Sequence, residues 1–298
     1  MEQQQNPLII LGCGYTGRFL YRLAMNRRQF VRATSRHPEQ QLTTLPSIHR
    51  LAFDLEQPDT WANIPAQADL IWCFPAMPLD RVHLFAKSLA PPGRLIVLGS
   101  TSAYDVARGS QDYPPPWIDE SASIDVAQPR VQGEEFLRNE LGAILLRVTG
   151  IYGPARNPLD WIRQGRVGPS PKYVNLVHAE DLAAICLLAL EKGKPGEVYN
   201  VSDGRPHTWD EICITAQKRW DITAPRANQN LSPGKRINNA KLRTDFDYAF
   251  RYPVLYEALA LIESADGVEA QDGQNGFQQG PKREGTGGVP FWGGRCDE

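Results

Sequence analysis

The sequence is short of the residues that build a disulfide or metal scaffold. Its 298 residues hold five cysteines, Cys13, Cys73, Cys186, Cys213 and Cys296, which are scattered, odd in number and nowhere spaced as CxxC. They read as reduced thiols, and no ligand cluster accompanies them, so no metal site is expected. A basic excess is missing too. Thirty-two Lys and Arg stand against 34 Asp and Glu, a formal net charge of −2, which argues against a general nucleic-acid partner. Long apolar runs are absent. None approaches the ~18 residues of a membrane span, and the polar start, residues 1–6, lacks the basic region of a secretory signal. The expected setting is the cytoplasm, without membrane contact.

What is present is an ordinary globular composition, 42% hydrophobic and 22% charged, with a regular alternation in its first half. Short apolar runs fall at Leu8–Leu11, Phe30–Thr34, Arg50–Phe53, Asp69–Phe74, Arg94–Leu98 and Ala143–Val148. Several are apolar almost throughout, as parallel strands covered on both faces must be. Between them, Tyr15–Arg27 places Phe19, Leu20, Leu23 and Ala24 on one helical face, and Leu79–Ala90 does the same with Val82, Leu84, Phe85 and Leu89. This predicts an α/β protein with a Rossmann-type doubly wound parallel sheet and a smaller C-terminal substrate lobe. The expected boundaries are 1–150 for the dinucleotide-binding domain and 151–263 for the lobe, partly intertwined with the first. Within the lobe a short strand is predicted at Val174–Val177, a helix at Ala179–Glu191, a strand at Glu197–Val201 and a helix at Thr208–Trp220. Thr208 and Glu211 would form a capping box on that last helix. From 264 to 298 the periodicity stops, and nine of the chain's 25 glycines fall there. The composition predicts a disordered tail, in which Phe277, Phe291 and Trp292 could form a small docking element.

The first apolar run leads directly into Gly12-Cys13-Gly14-Tyr15-Thr16-Gly17 and then into a helix. Gly12 permits the tight turn, Gly14 lets a pyrophosphate approach the backbone, and Gly17 allows close helix–strand packing. The N–H groups at the helix start, including those of Tyr15 and Thr16, would face the phosphates. The second run ends in Ser35-Arg36, without the Asp or Glu that bonds a ribose 2′-hydroxyl. A hydroxyl and a guanidinium suit a 2′-phosphate, so NADP(H) is expected in preference to NAD(H). The alternative is that Arg36 is a solvated surface charge. Asp54 and Leu55 after the third run could bracket the adenine, and Phe74 and Pro75 after the fourth could pass beside the cofactor.

Several segments in order carry a family resemblance. Leu98–Tyr104 resembles "SSxxVYG", Leu146–Pro154 resembles "LRxxxIYGP", Val174–Leu182 resembles "NFVHVDDVA", and Tyr199–Val201 resembles a late "YNV" strand. With the glycine turn they span roughly residues 6 to 262 and resemble the extended short-chain dehydrogenase/reductases, the NAD-dependent epimerases and dehydratases. The stretch Gly234–Leu242 is similar to an atypical bacterial subgroup of epimerase-like proteins. The resemblance implies a catalytic Ser or Thr, matched by Ser100, and homodimers formed through the helices after the fourth and fifth strands. It also implies a YxxxK motif, which this chain lacks. With Glu134 set on the family's glutamate, Arg130 takes the Lys position and Val126 the Tyr position. Arg130 would still contact the cofactor, but valine moves no proton and arginine does not readily release one. Tyr104, four residues beyond Ser100, and Tyr152 are candidate stand-ins, with packed tyrosines as the alternative. His178 is a candidate too, against a structural histidine, and Asp181 could cap the helix after it. Two functions follow: an oxidoreductase or epimerase acting on a small polar, sugar-nucleotide-like substrate with nonstandard acid/base chemistry, or a catalytically degenerate NADP(H) sensor or scaffold.

Overall fold

The computed structural model describes residues 6–27, 30–107, 112–225 and 232–275. Strand β1 (Leu8–Leu11) is wholly buried and is followed at once by helix α1 (Tyr15–Met25). Next come β2 (Val31–Ser35), a short helix α2 (Pro38–Gln41), β3 (Arg50–Ala52), β4 (Asp69–Trp72), α3 (Leu79–Ser88) and β5 (Leu95–Ser100). After β6 (Trp117–Ile118) and α4 (Pro129–Leu141), strand β7 (Ile144–Val148) returns to the sheet. The second half holds β8 (Gly150–Tyr152), α5 (Pro158–Arg163), β9 (Tyr173–Val174), β10 (Leu176–His178), α6 (Ala179–Lys192), β11 (Val198–Val201), β12 (His207–Thr208), α7 (Trp209–Trp220), β13 (Arg236–Ile237), α8 (Ala240–Phe246) and α9 (Leu255–Asn275).

Seven strands form one sheet in the order β11-β7-β5-β4-β1-β2-β3, and every pairing is parallel. Alternate residues of β1 serve opposite faces. Leu8 and Ile10 pack with α1, α6 and α8, whereas Ile9 and Leu11 pack with α3 and α4. The order reverses between β1 and β4, which opens a crevice at their carboxyl ends, the place where such sheets bind ligands. A smaller core gathers Tyr152, Leu159, Ile162, Trp209, Ile212, Leu255 and Leu259 from the second half. Strand β11 leaves that half to pair with β7, so the two parts interleave. No helix among the described residues is long and apolar enough to cross a membrane.

Several expectations shift. Leu84 is 48% exposed, so the buried face of α3 is carried by Val82, Phe85 and Ala86. The predicted strand at Val174–Val177 is two strands, because Asn175 leaves the ladder. Its side chain accepts from the Ile237 N–H and donates to the Lys235 carbonyl. β9 then pairs antiparallel with β12, and β10 parallel with β8. The capping box forms as predicted: Glu211 N–H donates to Thr208 Oγ1 (3.1 Å), and Thr208 N–H donates to Glu211 Oε2 (2.9 Å). The region read as a disordered tail from residue 264 is helical through Asn275, because Leu255, Ala258, Leu259 and Ile262 bury an i, i+3, i+4, i+7 stripe that anchors α9. Residues 276–298, including Phe277, Phe291 and Trp292, lie outside the described residues.

Candidate dinucleotide-binding site

The glycine turn occupies the crevice. Gly12 has φ +82°, a left-handed conformation that favours glycine, and a Cβ there would lie 2.7 Å from the Phe74 ring. Its N–H donates to Thr34 Oγ1 (2.9 Å), and the next N–H, of Cys13, donates to the Thr34 carbonyl (2.8 Å). A Cβ on Gly17 would touch the Gly12 carbonyl at 3.0 Å, so α1 sits hard against the turn. Gly14 is different: nothing lies within 4 Å of where its Cβ would stand. No side chain caps the start of α1, and its first turn holds no acid. Open space beside an uncapped helix start is what a pyrophosphate requires, so the residues present fit a dinucleotide. Burial raises the Cys13 thiol to about 11, with Arg18 opposing, which keeps it in the neutral form.

Around the turn, Arg36 is exposed at the carboxyl end of β2. Ser35 beside it is buried, and its hydroxyl bonds the Gln41 side chain and accepts the His37 N–H. Asp54 accepts the Glu56 N–H in a local turn, and Leu55 is buried. Phe74 packs on Trp72 (ring centroids 4.9 Å apart) and against Gly12, while Pro75 is exposed.

Ser100 ends β5, half-buried, and its Oγ accepts the Ser102 N–H (3.1 Å). The start of α4 is held beside it. Asp125 N–H donates to the Ala103 carbonyl, and Gln128 Nε2 donates to the Ser102 carbonyl. Helix α4 begins at Pro129, as the proline suggests, and lies close to the exit of β4, since a Cβ on Gly133 would stand 1.8 Å from the Ala76 carbonyl. Arg130 Nε donates to Glu134 Oε1 at 2.9 Å. Glu134 is 1% exposed, and its Oε2 lies against Gly99 without a hydrogen-bond partner. Burial pushes this carboxyl up, and Arg130 pulls it back in part. Val126, at the position of the missing tyrosine, is 64% exposed.

Tyr104 lies away from solvent. It is wholly buried, its hydroxyl donating to Asn200 Oδ1 (2.7 Å) and accepting from Arg147 Nη1 (3.0 Å). Arg147 is itself buried and bonds Glu135 Oε1 at 3.0 Å, so these groups are a structural brace between sheet and helix. Burial raises the Tyr104 hydroxyl, with Arg147 opposing. Tyr152 is also wholly buried, and its hydroxyl has no partner. His178 is structural: Nδ1 accepts the Glu180 N–H (3.2 Å), its ring stacks on Tyr252, and burial lowers its pKa. Asp181 does not cap α6, where His178 has that place. Its carboxylate instead takes the Tyr248 hydroxyl and the Arg251 and Tyr252 N–H groups. The sequence reading missed Arg156, which stands over the Tyr15 ring 5.1 Å from its centroid. Nothing local signals it, because the two residues are far apart in the chain.

Sheet order, switch-point crevice and glycine turn together define a Rossmann-type fold. No family model matches the chain. It is 27% identical over 165 residues to the Escherichia coli protein YeeZ, a match covering 54% of this chain and 59% of that protein, so it spans little more than half of that relative. A Methylobacillus flagellatus structure, put forward as an NAD-dependent epimerase/dehydratase, superposes with a TM-score of 0.71 at 24% identity, over 88% of this chain and 99% of that one. A short-chain dehydrogenase/reductase superfamily protein from Agrobacterium tumefaciens with bound NAD gives 0.74 at 12% identity, over 91% and 100%. The chain thus has the fold of short-chain dehydrogenase/reductase and epimerase/dehydratase proteins.

Proposed function

We propose that this chain is an NAD(P)-binding protein of epimerase/dehydratase type that acts as an oxidoreductase or epimerase on a small polar, sugar-nucleotide-like substrate. The observation that carries the reading is the empty space at Gly14 beside the uncapped start of α1. The α1 N–H groups would hold the pyrophosphate, and the exposed Arg36 would take a 2′-phosphate, which favours NADP(H) over the NAD bound by the Agrobacterium protein. When bound, the nicotinamide supplies hydride acceptance and donation. Ser100 orients the substrate oxygen, and Arg130, fixed by Glu134, supplies a positive charge that it does not titrate away. With Tyr104 withdrawn into the core, water at the Ser100 hydroxyl is the remaining proton carrier.

A second reading, a dinucleotide sensor without turnover, is favoured by the exposure of Val126 and the burial of Tyr104. Thermal-shift measurements with NADPH and NADH, then NADPH turnover over a panel of sugar nucleotides and small carbonyl compounds, separate the two. Stabilisation by NADPH above NADH supports Arg36 as a 2′-phosphate ligand, and equal shifts refute it. No shift with either removes the cofactor reading. Turnover that is lost in Ser100→Ala supports the enzyme; binding without any turnover supports the sensor.

A further inference from the structure

The turn between β8 and α5 is built at some conformational expense. Arg156 N–H donates to the Gly153 carbonyl (2.9 Å), and Gly153 N–H donates back to the Arg156 carbonyl (3.3 Å). Pro154 and Ala155 form the corner, and Ala155 has φ +62°, where a turn of this kind normally holds glycine. A left-handed alanine costs on the order of 1 kcal/mol. The turn is pinned on three sides. Tyr15 Oη donates to the Pro154 carbonyl at 3.0 Å. A Cβ on Gly153 would lie 2.8 Å from Tyr15 Oη and 3.3 Å from His178 Nε2. Asn157 is buried, accepts the Leu159 N–H at the start of α5 (3.0 Å), and donates to Glu263 Oε1 (2.6 Å).

This fixed turn sets the Arg156 guanidinium over the Tyr15 ring, which Phe19 also meets edge-on at 5.2 Å. Tyr15 is the first residue of α1, so Arg156 stands at the mouth of the phosphate turn. Nearby, Arg163 pairs with Asp160 and Glu263, and Arg251 pairs with Glu180. Arg156 is exposed, and among the described residues no carboxylate pairs with it.

We propose that Arg156 is an anion-binding residue that reaches from the lobe to the pyrophosphate of a bound dinucleotide, so that the cofactor is gripped from both halves of the chain. The inference rests on the dinucleotide reading above. A planar guanidinium placed over an aromatic ring is suited to bidentate phosphate contact. The test is titration calorimetry of wild type, Arg156→Ala and Arg156→Lys with NADPH, ADP-ribose and adenosine 2′-monophosphate. ADP-ribose keeps the pyrophosphate without the nicotinamide, and adenosine 2′-monophosphate has no 5′-phosphate. The expected result is about tenfold weaker binding of NADPH and ADP-ribose by the Ala variant, equivalent to roughly 1.4 kcal/mol, with partial recovery in Lys. Binding of adenosine 2′-monophosphate stays unchanged. Unaltered NADPH and ADP-ribose affinity in a folded Ala variant overturns the proposal while leaving the cofactor site standing. So does equal weakening of all three ligands, which would mark a diffuse charge effect. Absence of binding to wild type overturns the cofactor reading and the proposal together.

Discussion

Replacing Arg130 by alanine should be costly out of proportion to its partial exposure, and the cost should lie in Glu134. The two side chains are 27% and 1% exposed and meet at 2.9 Å. At about 3 Å and an effective dielectric near 20, the gross attraction is roughly 5–6 kcal/mol. Much of that offsets the desolvation of the carboxylate, whose second oxygen has no partner. Removing only the guanidinium leaves the buried carboxyl uncompensated, for a net loss of about 2–4 kcal/mol. For a chain of this size that corresponds to a melting temperature roughly 3–6 °C lower. The pH dependence carries the same signature. Burial already raises the Glu134 carboxyl, and losing Arg130 raises it further. The folded state then binds the proton more tightly than the unfolded state. Stability of the variant falls as pH climbs from the unfolded carboxyl value, about 4.3, through the raised folded one, and the deficit shrinks in acid. Adding Glu134→Gln should restore most of the loss, because no charge is left stranded. The assay is thermal and chemical denaturation of wild type, both single variants and the double variant between pH 4 and pH 8. A melting temperature for Arg130→Ala within 1 °C of wild type, or a double variant no more stable than Arg130→Ala, would refute the reasoning. The double variant also separates roles: restored stability with weakened NADPH binding assigns Arg130 to the cofactor, and restored binding makes it structural.

Three further outcomes are expected. Burial lifts the Asp203 carboxyl to about 7, so the folded state holds a proton that the unfolded state has lost between about pH 4 and pH 7. Wild type therefore loses stability as pH rises through that window, and Asp203→Asn should be roughly 2–4 kcal/mol more stable at pH 8 but no more stable at pH 4, measured by urea unfolding. Gly133→Ala would drive a Cβ to within 1.8 Å of the Ala76 carbonyl, so it should shift α4, lower the melting temperature by about 5 °C, and weaken NADPH binding alongside. Thr208→Ala removes one half of a formed capping box and should cost about 1 kcal/mol in denaturant unfolding while leaving NADPH affinity unchanged.

Local patterns were readable where the physics is local. Parallel strands buried on both faces must be apolar throughout, and Leu8–Leu11 matches β1 residue for residue. The glycine turn was legible because each glycine answers a separate steric demand. Strand β5 runs two residues past its apolar stretch because Gly99 and Ser100 keep register with Arg147 and Val148, a cross-strand fact that no hydropathy pattern contains. The burial of Tyr104 was hidden for a similar reason. Residues Thr101–Ala107 form a 3-10 segment, whose phase turns the ring into the core, and its partners Asn200 and Arg147 lie 96 and 43 residues away. Arg147, inside the apolar run Ala143–Val148, is buried with charged and aromatic company, which hydropathy does not show. The approach of the lobe to the phosphate turn was invisible, since Tyr15 and Pro154 are 139 residues apart.

The hydrogen bond from Asn157 to Glu263 closes a loop of 106 residues, and Arg163 ties α5 to the same glutamate. Contacts so distant along the chain carry a large closure entropy and form late. A nascent chain can therefore complete β1, the glycine turn and α1 long before the turn that carries Arg156 has anything to rest on. The glycine-turn end of the crevice is set by residues synthesised well before those of its opposite wall, which takes its position when α9 docks. The order of synthesis thus leaves an open half-site first and an enclosed one last.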